Sequence, residues 1–200
     1  MSRALKSLAI FAAFVAIYTL SRHVVHSTTT TTTTTAPHST TTSTSGVTTT
    51  SLAGDTCLAN DFSGVYNTGE GAAGTVYASV TLTKSTAGSC TLRGWPILTL
   101  QDRLGGLVTI SPVDVPSSGN NFQFLTPPQA NHASTTLTIA HNDTTSFALA
   151  YSDVPVGTET CASAVTVSVQ FVKEGATVSV TPSYPVQPCD GGQIWVSPFY

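Results

Sequence analysis

The sequence predicts an all-β fold, an antiparallel immunoglobulin-like β-sandwich that spans residues 55–200. Two observations lead to this prediction. Short stretches after residue 55 alternate apolar and polar residues with the period of a half-buried strand, and turn residues separate them. No stretch of residues 55–200 shows the apolar period of an amphipathic helix. A single sheet closed on itself is the second architecture that this pattern allows.

The clearest alternation places Val76, Ala78, Val80 and Leu82 on one face of a strand. The tripeptide Lys173-Glu174-Gly175 predicts a hairpin turn between two further valine-rich strands. The expected strands are Phe62–Tyr66, Thr75–Leu82, Ile97–Gln101, Leu107–Ser111, Phe122–Leu125, Thr135–Ile139, Phe147–Tyr151, Val165–Phe171, Val178–Val180 and Gln193–Val196.

Two N-terminal segments precede this domain. Residues 1–26 have the pattern of a signal peptide or a signal anchor, because Arg3 and Lys6 come before an apolar run. Residues 27–54 form a Thr/Ser-rich, low-complexity linker that is expected to be disordered. A spacer is most useful when one end is fixed to a membrane, which favours an uncleaved anchor over a cleaved signal. The alternative is a protein secreted after cleavage.

The charge balance argues against a nucleic-acid partner. Charged residues make up only 8% of the chain, well below the roughly 25% that is usual for soluble domains. Residues 55–200 carry four basic side chains against ten acidic ones, a net charge of −6. No basic patch is available for a phosphate backbone.

Four cysteines, Cys57, Cys90, Cys161 and Cys189, follow the export segment and predict two disulfides. Four cysteines allow three pairings. The pairing Cys57–Cys90 with Cys161–Cys189 is favoured because each bond would join the outer ends of neighbouring strands. The absence of a Cys-x-x-Cys motif disfavours a zinc ribbon or a thioredoxin-like site.

The stretch Cys90–Pro96 leads from a strand into a bend made by Gly94 and Pro96. Trp95, which lies within that bend, is expected to anchor the core. The alternative is that Trp95, Tyr77 or Trp195 forms an exposed aromatic platform for a sugar or peptide. Tyr77 is the best placed of the three, because it falls on the polar side of its strand.

No catalytic residue, cofactor or metal ligand is expected. His132 and His141 are nine residues apart, so on one strand they would point to opposite faces. His141 and Asp143 could form a triad with a serine, but no Gly-x-Ser-x-Gly elbow accompanies them. Arg93 and Asp102 are expected to pair across a strand bend.

Several segments resemble an actinobacterial exported family catalogued as domain of unknown function 4232. They are Gly71–Gly74, Cys90–Pro96 with the residues that follow, Cys161 before a valine-rich strand, Cys189–Gly192 and Val196–Phe199. The resemblance covers most of residues 55–200 and implies a secreted or membrane-attached β-sandwich placed after a spacer. It implies no reaction and no catalytic residue. This chain lacks the lipobox found in many relatives, so lipoprotein attachment is not expected.

The expected function is therefore that of an extracytoplasmic binding module, displayed on the linker and held at the membrane by the N-terminal segment. Its partner would be a cell-envelope ligand, a protein or a small molecule. A purely structural envelope domain is the alternative, and a secreted hydrolase is the least favoured.

Overall fold

A computed structural model describes residues 55–200, so the predicted export segment and linker lie outside the described residues. The described part is all-β, apart from two short 3-10 helices at Ala59–Asp61 and Pro128–Asn131. Its strands are β1 (Phe62–Ala72), β2 (Thr75–Lys84), β3 (Cys90–Leu92), β4 (Ile97–Gln101), β5 (Leu107–Val108), β6 (Ser111–Asp114), β7 (Leu137–Ile139), β8 (Thr144–Ser152), β9 (Thr166–Gln170), β10 (Thr177–Val180) and β11 (Gln193–Val196). Residues 55–200 contain no helix long and apolar enough to cross a membrane.

The strands form separate sheets rather than one closed sheet. One sheet has the order β1-β2-β8-β11-β6, a second has the order β10-β9-β4-β5, and β3 pairs with β7 alone. The purely antiparallel arrangement expected from the sequence is wrong at one position, because β11 runs parallel to β6. These two strands are separated by most of the C-terminal half of the chain, so no hairpin forces them to run in opposite directions.

The two larger sheets share one buried cluster, which explains the alternation in the sequence. Leu82 and Phe147 of the five-stranded sheet belong to the same cluster as Leu100, Val169 and Val180 of the four-stranded sheet. Phe147 is fully buried, and truncating such a side chain usually costs about 3–5 kcal/mol. Gly175 N–H donates to Val172 O at 3.1 Å, and the predicted β9–β10 hairpin is confirmed.

The strand predicted at Phe122–Leu125 is wrong. Phe124 N–H donates to Asn131 Oδ1 at 2.7 Å, and Asn131 Nδ2 donates to Phe124 O at 2.8 Å. The side-chain amide thus satisfies both backbone groups that a neighbouring strand would satisfy. Residues 122–125 therefore need no pairing with a neighbouring strand and can lie over the face of a sheet.

The prediction that Trp95 anchors the core is also wrong. Trp95 is only partly buried and belongs to neither buried cluster, whereas its neighbours Leu98 and Leu100 point into the core. Its indole Nε1–H donates to Val115 O at 3.2 Å. An indole N–H needs an acceptor, and the backbone carbonyl of Val115 provides one.

Candidate functional site

The outer face of the five-stranded sheet is divided into a covered half and an open half. Residues 115–136, here called the covering segment, lie over the part formed by β8 and β11. Beneath the segment, Ala148 and Ala150 of β8 join Val115, Phe124 and Ala130 in a second buried cluster. Because both sheet residues are alanines, aromatic rings can approach the sheet closely.

Three aromatic rings form a row over Ala150, which is paired with Tyr77 on one side and Trp195 on the other. The Phe122 ring lies 4.3 Å from that of Trp195 with an interplanar angle of 2°, and 6.2 Å from that of Tyr77 with an angle of 23°. Tyr77 and Trp195 are therefore packing partners of Phe122, and both remain partly exposed.

A cleft of about 420 Å³ lies between the covering segment and the open half of the sheet. We call it the β1–β2 cleft. Its sheet side consists of Asn67, Thr68, Gly69, Tyr77, Ala78 and Ser79. Its other side consists of Leu125, Thr126 and Pro127. The volume lies within the range of about 300–1,000 Å³ that is typical of small-molecule sites.

Neutral hydrogen-bonding groups of β1, β2 and β8 lie next to this cleft. Asn67 Nδ2 donates to Thr81 Oγ1 at 3.0 Å, and Ser146 Oγ donates to the same oxygen at 3.1 Å. Asn67 also reaches Ser79 Oγ at 3.5 Å. These contacts hold the Asn67 amide across two strands while its carbonyl oxygen stays available to a ligand.

The described side chains that line the cleft are uncharged. None of the lining residues whose side chains the structure describes is acidic or basic. The tyrosines with altered pKa values lie elsewhere: burial, followed by the neighbouring Tyr151, raises the pKa of Tyr66 on the core face of β1. Such a site can offer hydrogen bonds and one aromatic surface, from Tyr77, to a polar ligand without net charge.

A family profile described as "Domain of unknown function (DUF4232)" matches residues 57–200. The chain belongs to the DUF4232 family. Searches among curated proteins and among solved structures found no match. The match covers every described strand, including both sides of the β1–β2 cleft.

The bend of the DUF4232 domain at Gly94 and Trp95 joins three separate parts of the chain. Gly94 N–H donates to Ser134 Oγ at 2.8 Å, and Gly94 O accepts from Phe199 N–H at 3.0 Å. The Trp95 indole binds Val115 O at the start of the covering segment. Trp95 thus helps to fix the covering segment, which forms one side of the cleft.

Both disulfides of the DUF4232 domain are present: Cys57 is bonded to Cys90, and Cys161 is bonded to Cys189. The second bond lies beside a further contact between the same two loops. Glu159 accepts hydrogen bonds from the backbone N–H groups of Asp190 at 3.0 Å and Gly191 at 2.8 Å. Disulfides of this kind are typical of domains outside the cytoplasm.

The two histidines and Asp143 lie outside the strands. His141 Nδ1 lies 3.2 Å from Thr86 O, and Asp143 Oδ2 accepts from Ala140 N–H at 3.0 Å. His132 follows the second 3-10 helix. Residues 55–200 bring together no group of three or more His, Cys, Asp or Glu side chains that could hold a metal.

The expected pair between Arg93 and Asp102 is wrong. Asp102 Oδ1 instead accepts hydrogen bonds from Leu104 N–H and Gly106 N–H, both at 2.8 Å, and so closes the β4–β5 turn. A local turn of this type satisfies the carboxylate without ordering a long arginine side chain.

Sequence reasoning identified Tyr77 but missed Asn67 and Phe122. Asn67 carries no motif, since its importance comes from facing Ser79 across the β1–β2 pair. Phe122 did carry a signal, because the run from Phe122 to Leu125 places two aromatics two residues apart without any charge. That signal indicates burial but leaves open whether a strand or a covering segment provides it.

Proposed function

We propose that this protein is an extracytoplasmic binding module whose β1–β2 cleft accepts a neutral, polyhydroxylated ligand of the glycan class. The observation that carries the proposal is the composition of the cleft: one aromatic wall, amide and hydroxyl groups, and no charged group among its described lining residues. Sugar hydroxyls both donate and accept; the Asn67 carbonyl oxygen can accept from them, and the Ser79 hydroxyl can do both. Tyr77 supplies the apolar surface against which the C–H face of a sugar ring packs.

The distribution of charge in the domain supports a neutral ligand. In the centre of the open half of the sheet, the outward-facing residues of β2 are Ser79, Thr81 and Thr83. The outer face of the four-stranded sheet is similar, with Thr99 facing Ser168 and Ser168 Oγ lying 2.9 Å from Ser179 Oγ. A charged ligand would meet no opposite charge among these described side chains, whereas a polyol meets matching hydroxyl groups.

The proposal includes the setting of the module. Two disulfides support a location outside the cytoplasm. Two sheets around a common core support an immunoglobulin-like sandwich, a scaffold that presents loops and sheet faces to ligands. Residues 27–54 would act as the spacer and residues 1–26 as the membrane anchor or cleaved signal. Binding, not catalysis, is the proposed activity.

A printed array of neutral and charged glycans, probed with the full-length protein, tests this proposal. We expect binding to neutral glycans that persists at high salt, because no ion pair contributes. Asn67→Ala and Tyr77→Ala should each weaken binding about ten-fold or more, as expected for loss of a hydrogen bond or a stacking surface. Ser63→Ala, on the same face of β1 but outside the cleft, is the matched control. If no glycan on the array binds, the result favours a purely structural envelope domain without a specific ligand.

A further inference from the structure

A second cavity of about 320 Å³ is lined by residues of the covering segment. We call it the amide cavity, because Asn120, Asn121, Gln123 and Asn131 line it together with Pro116 and Phe122. Its lining also lacks any acidic or basic side chain. Two neutral cavities therefore open on the same covering segment.

The amides of this cavity divide into two groups. Asn131 accepts from and donates to the Phe124 backbone, and Asn120 Oδ1 accepts from Phe122 N–H at 2.8 Å. Asn121 and Gln123 are exposed, and their side chains form no hydrogen bond with any described residue. The first group fixes the shape of the cavity. The second presents paired donors and acceptors to whatever enters it.

The ring of Phe122 connects the two cavities. Phe122 lines the amide cavity, and its ring stacks at 6.2 Å on that of Tyr77, which lines the β1–β2 cleft. A ligand that extends from one cavity past Phe122 into the other would meet neutral polar groups in both. A single small sugar would fill only one of the two cavities.

We infer that the amide cavity is a second subsite and that the ligand is a linear neutral oligosaccharide occupying both cavities. This inference rests on the proposed function and extends it from a ligand class to a chain length. Asn121 and Gln123 are assigned as the hydrogen-bonding groups of the second subsite. The Asn67 carbonyl oxygen and the ring of Tyr77 remain the contacts of the first subsite.

Calorimetry with the full-length protein tests the inference, using cello-, chito-, malto- and manno-oligosaccharides, each as dimer and hexamer. For the series that binds, we expect the hexamer to bind about ten-fold more tightly than the dimer, or about 1.4 kcal/mol. The combined variant Asn121→Ala, Gln123→Ala should remove this gain and leave dimer affinity unchanged. Ser117→Ala with Ser118→Ala, in the adjacent exposed turn, is the control that keeps it.

The outcomes separate the two proposals. Equal affinity for dimer and hexamer, or a hexamer gain that survives the loss of Asn121 and Gln123, overturns the second subsite alone. If neither length of any series binds and the array is silent, the proposed function fails and the second subsite fails with it. Circular dichroism of each variant confirms that the fold is retained.

Discussion

Phe122 and Trp195 lie ring against ring, with centroids 4.3 Å apart and planes within 2° of parallel. One residue belongs to the covering segment and the other to β11, so this contact attaches the segment to the sheet. It is also the contact on which the cleft depends, because the same Phe122 ring supports Tyr77.

Replacing Phe122 with alanine should loosen the covering segment. We expect the free energy of unfolding to fall by about 2–3 kcal/mol, less than the ~3–5 kcal/mol for a fully buried phenylalanine, because Phe122 is only partly buried. Urea unfolding followed by tryptophan fluorescence measures the change. Leu125→Ala, at a side chain that is 64% exposed, is the control and should change stability by less than about 0.5 kcal/mol.

Two adjacent glycines provide a matched test of the turn before β11. Gly191 and Gly192 both have left-handed φ angles, 65° and 77°. A Cβ on Gly191 would meet nothing within 4 Å, whereas a Cβ on Gly192 would lie 2.5 Å from Thr109 O. We expect Gly191→Ala to cost about 1–2 kcal/mol from backbone strain alone. Gly192→Ala should cost about 3 kcal/mol or more, because the clash is with backbone.

Chemical denaturation of both glycine variants under identical conditions provides the comparison. Equal losses of stability would contradict the close approach of Gly192 to the strand region around Thr109. A larger loss for Gly191→Ala than for Gly192→Ala would contradict it even more directly.

The stability of the domain should fall at alkaline pH. Burial raises the pKa of Tyr200 to about 12 from its ordinary 10.0, and burial also raises the pKa values of Tyr66 and Tyr151. The unfolded chain therefore loses protons at a pH where the folded chain still holds them. The stabilising contribution is complete below pH 10.0 and is lost as the pH rises toward 12.

The variant Tyr66→Phe isolates one of these groups. The Tyr66 hydroxyl is buried close to that of Tyr151, but the two form no hydrogen bond of good geometry, so its removal should leave stability near neutral pH unchanged or slightly higher. The loss of stability between about pH 9 and about pH 11 should become smaller. Urea titrations at several pH values measure both effects, and Tyr184→Phe, at an exposed side chain, is the control. An unchanged alkaline loss in Tyr66→Phe would refute the assignment.

Each disulfide should stabilise the domain to a similar extent. The bonds join cysteines 33 and 28 residues apart, and loops of this length correspond to about 3–4 kcal/mol in the chain-entropy model. We expect Cys57→Ser with Cys90→Ser, and separately Cys161→Ser with Cys189→Ser, to lower the free energy of unfolding by about that amount. Denaturation with and without dithiothreitol checks the result. The prediction is contradicted if the protein with both disulfides intact is no more stable than the double variants.

Local pattern was sufficient for the strands that line the core. In β2 the alternation from Val76 to Leu82 is set by one buried face, so sequence and structure agree there. The bounds of β4 and β11 match the prediction for the same reason. The cysteine pairing could be chosen from the expected strand ends, since Cys90 begins β3.

Contacts between distant segments could not be read from the sequence. Phe122 and Trp95 are aromatics near strands, a pattern that predicts burial without specifying what buries them. The position of Trp95 depends on its hydrogen bond to Val115 O, and that of the segment around Phe122 depends on the hydrogen bond from Phe124 N–H to Asn131. No local sequence pattern connects these partners. The parallel pairing of β6 with β11 and the position of Asn67 beside Ser79 belong to the same class.

The bond between Cys57 and Cys90 determines how the domain would respond to mechanical load. A pull on the chain before residue 57 passes through the sulfur atoms directly to β3. The 33-residue separation between these cysteines encloses β1 and β2, which the pull therefore bypasses. A pull from the N-terminal side therefore cannot unravel β1 and β2 while this disulfide is intact.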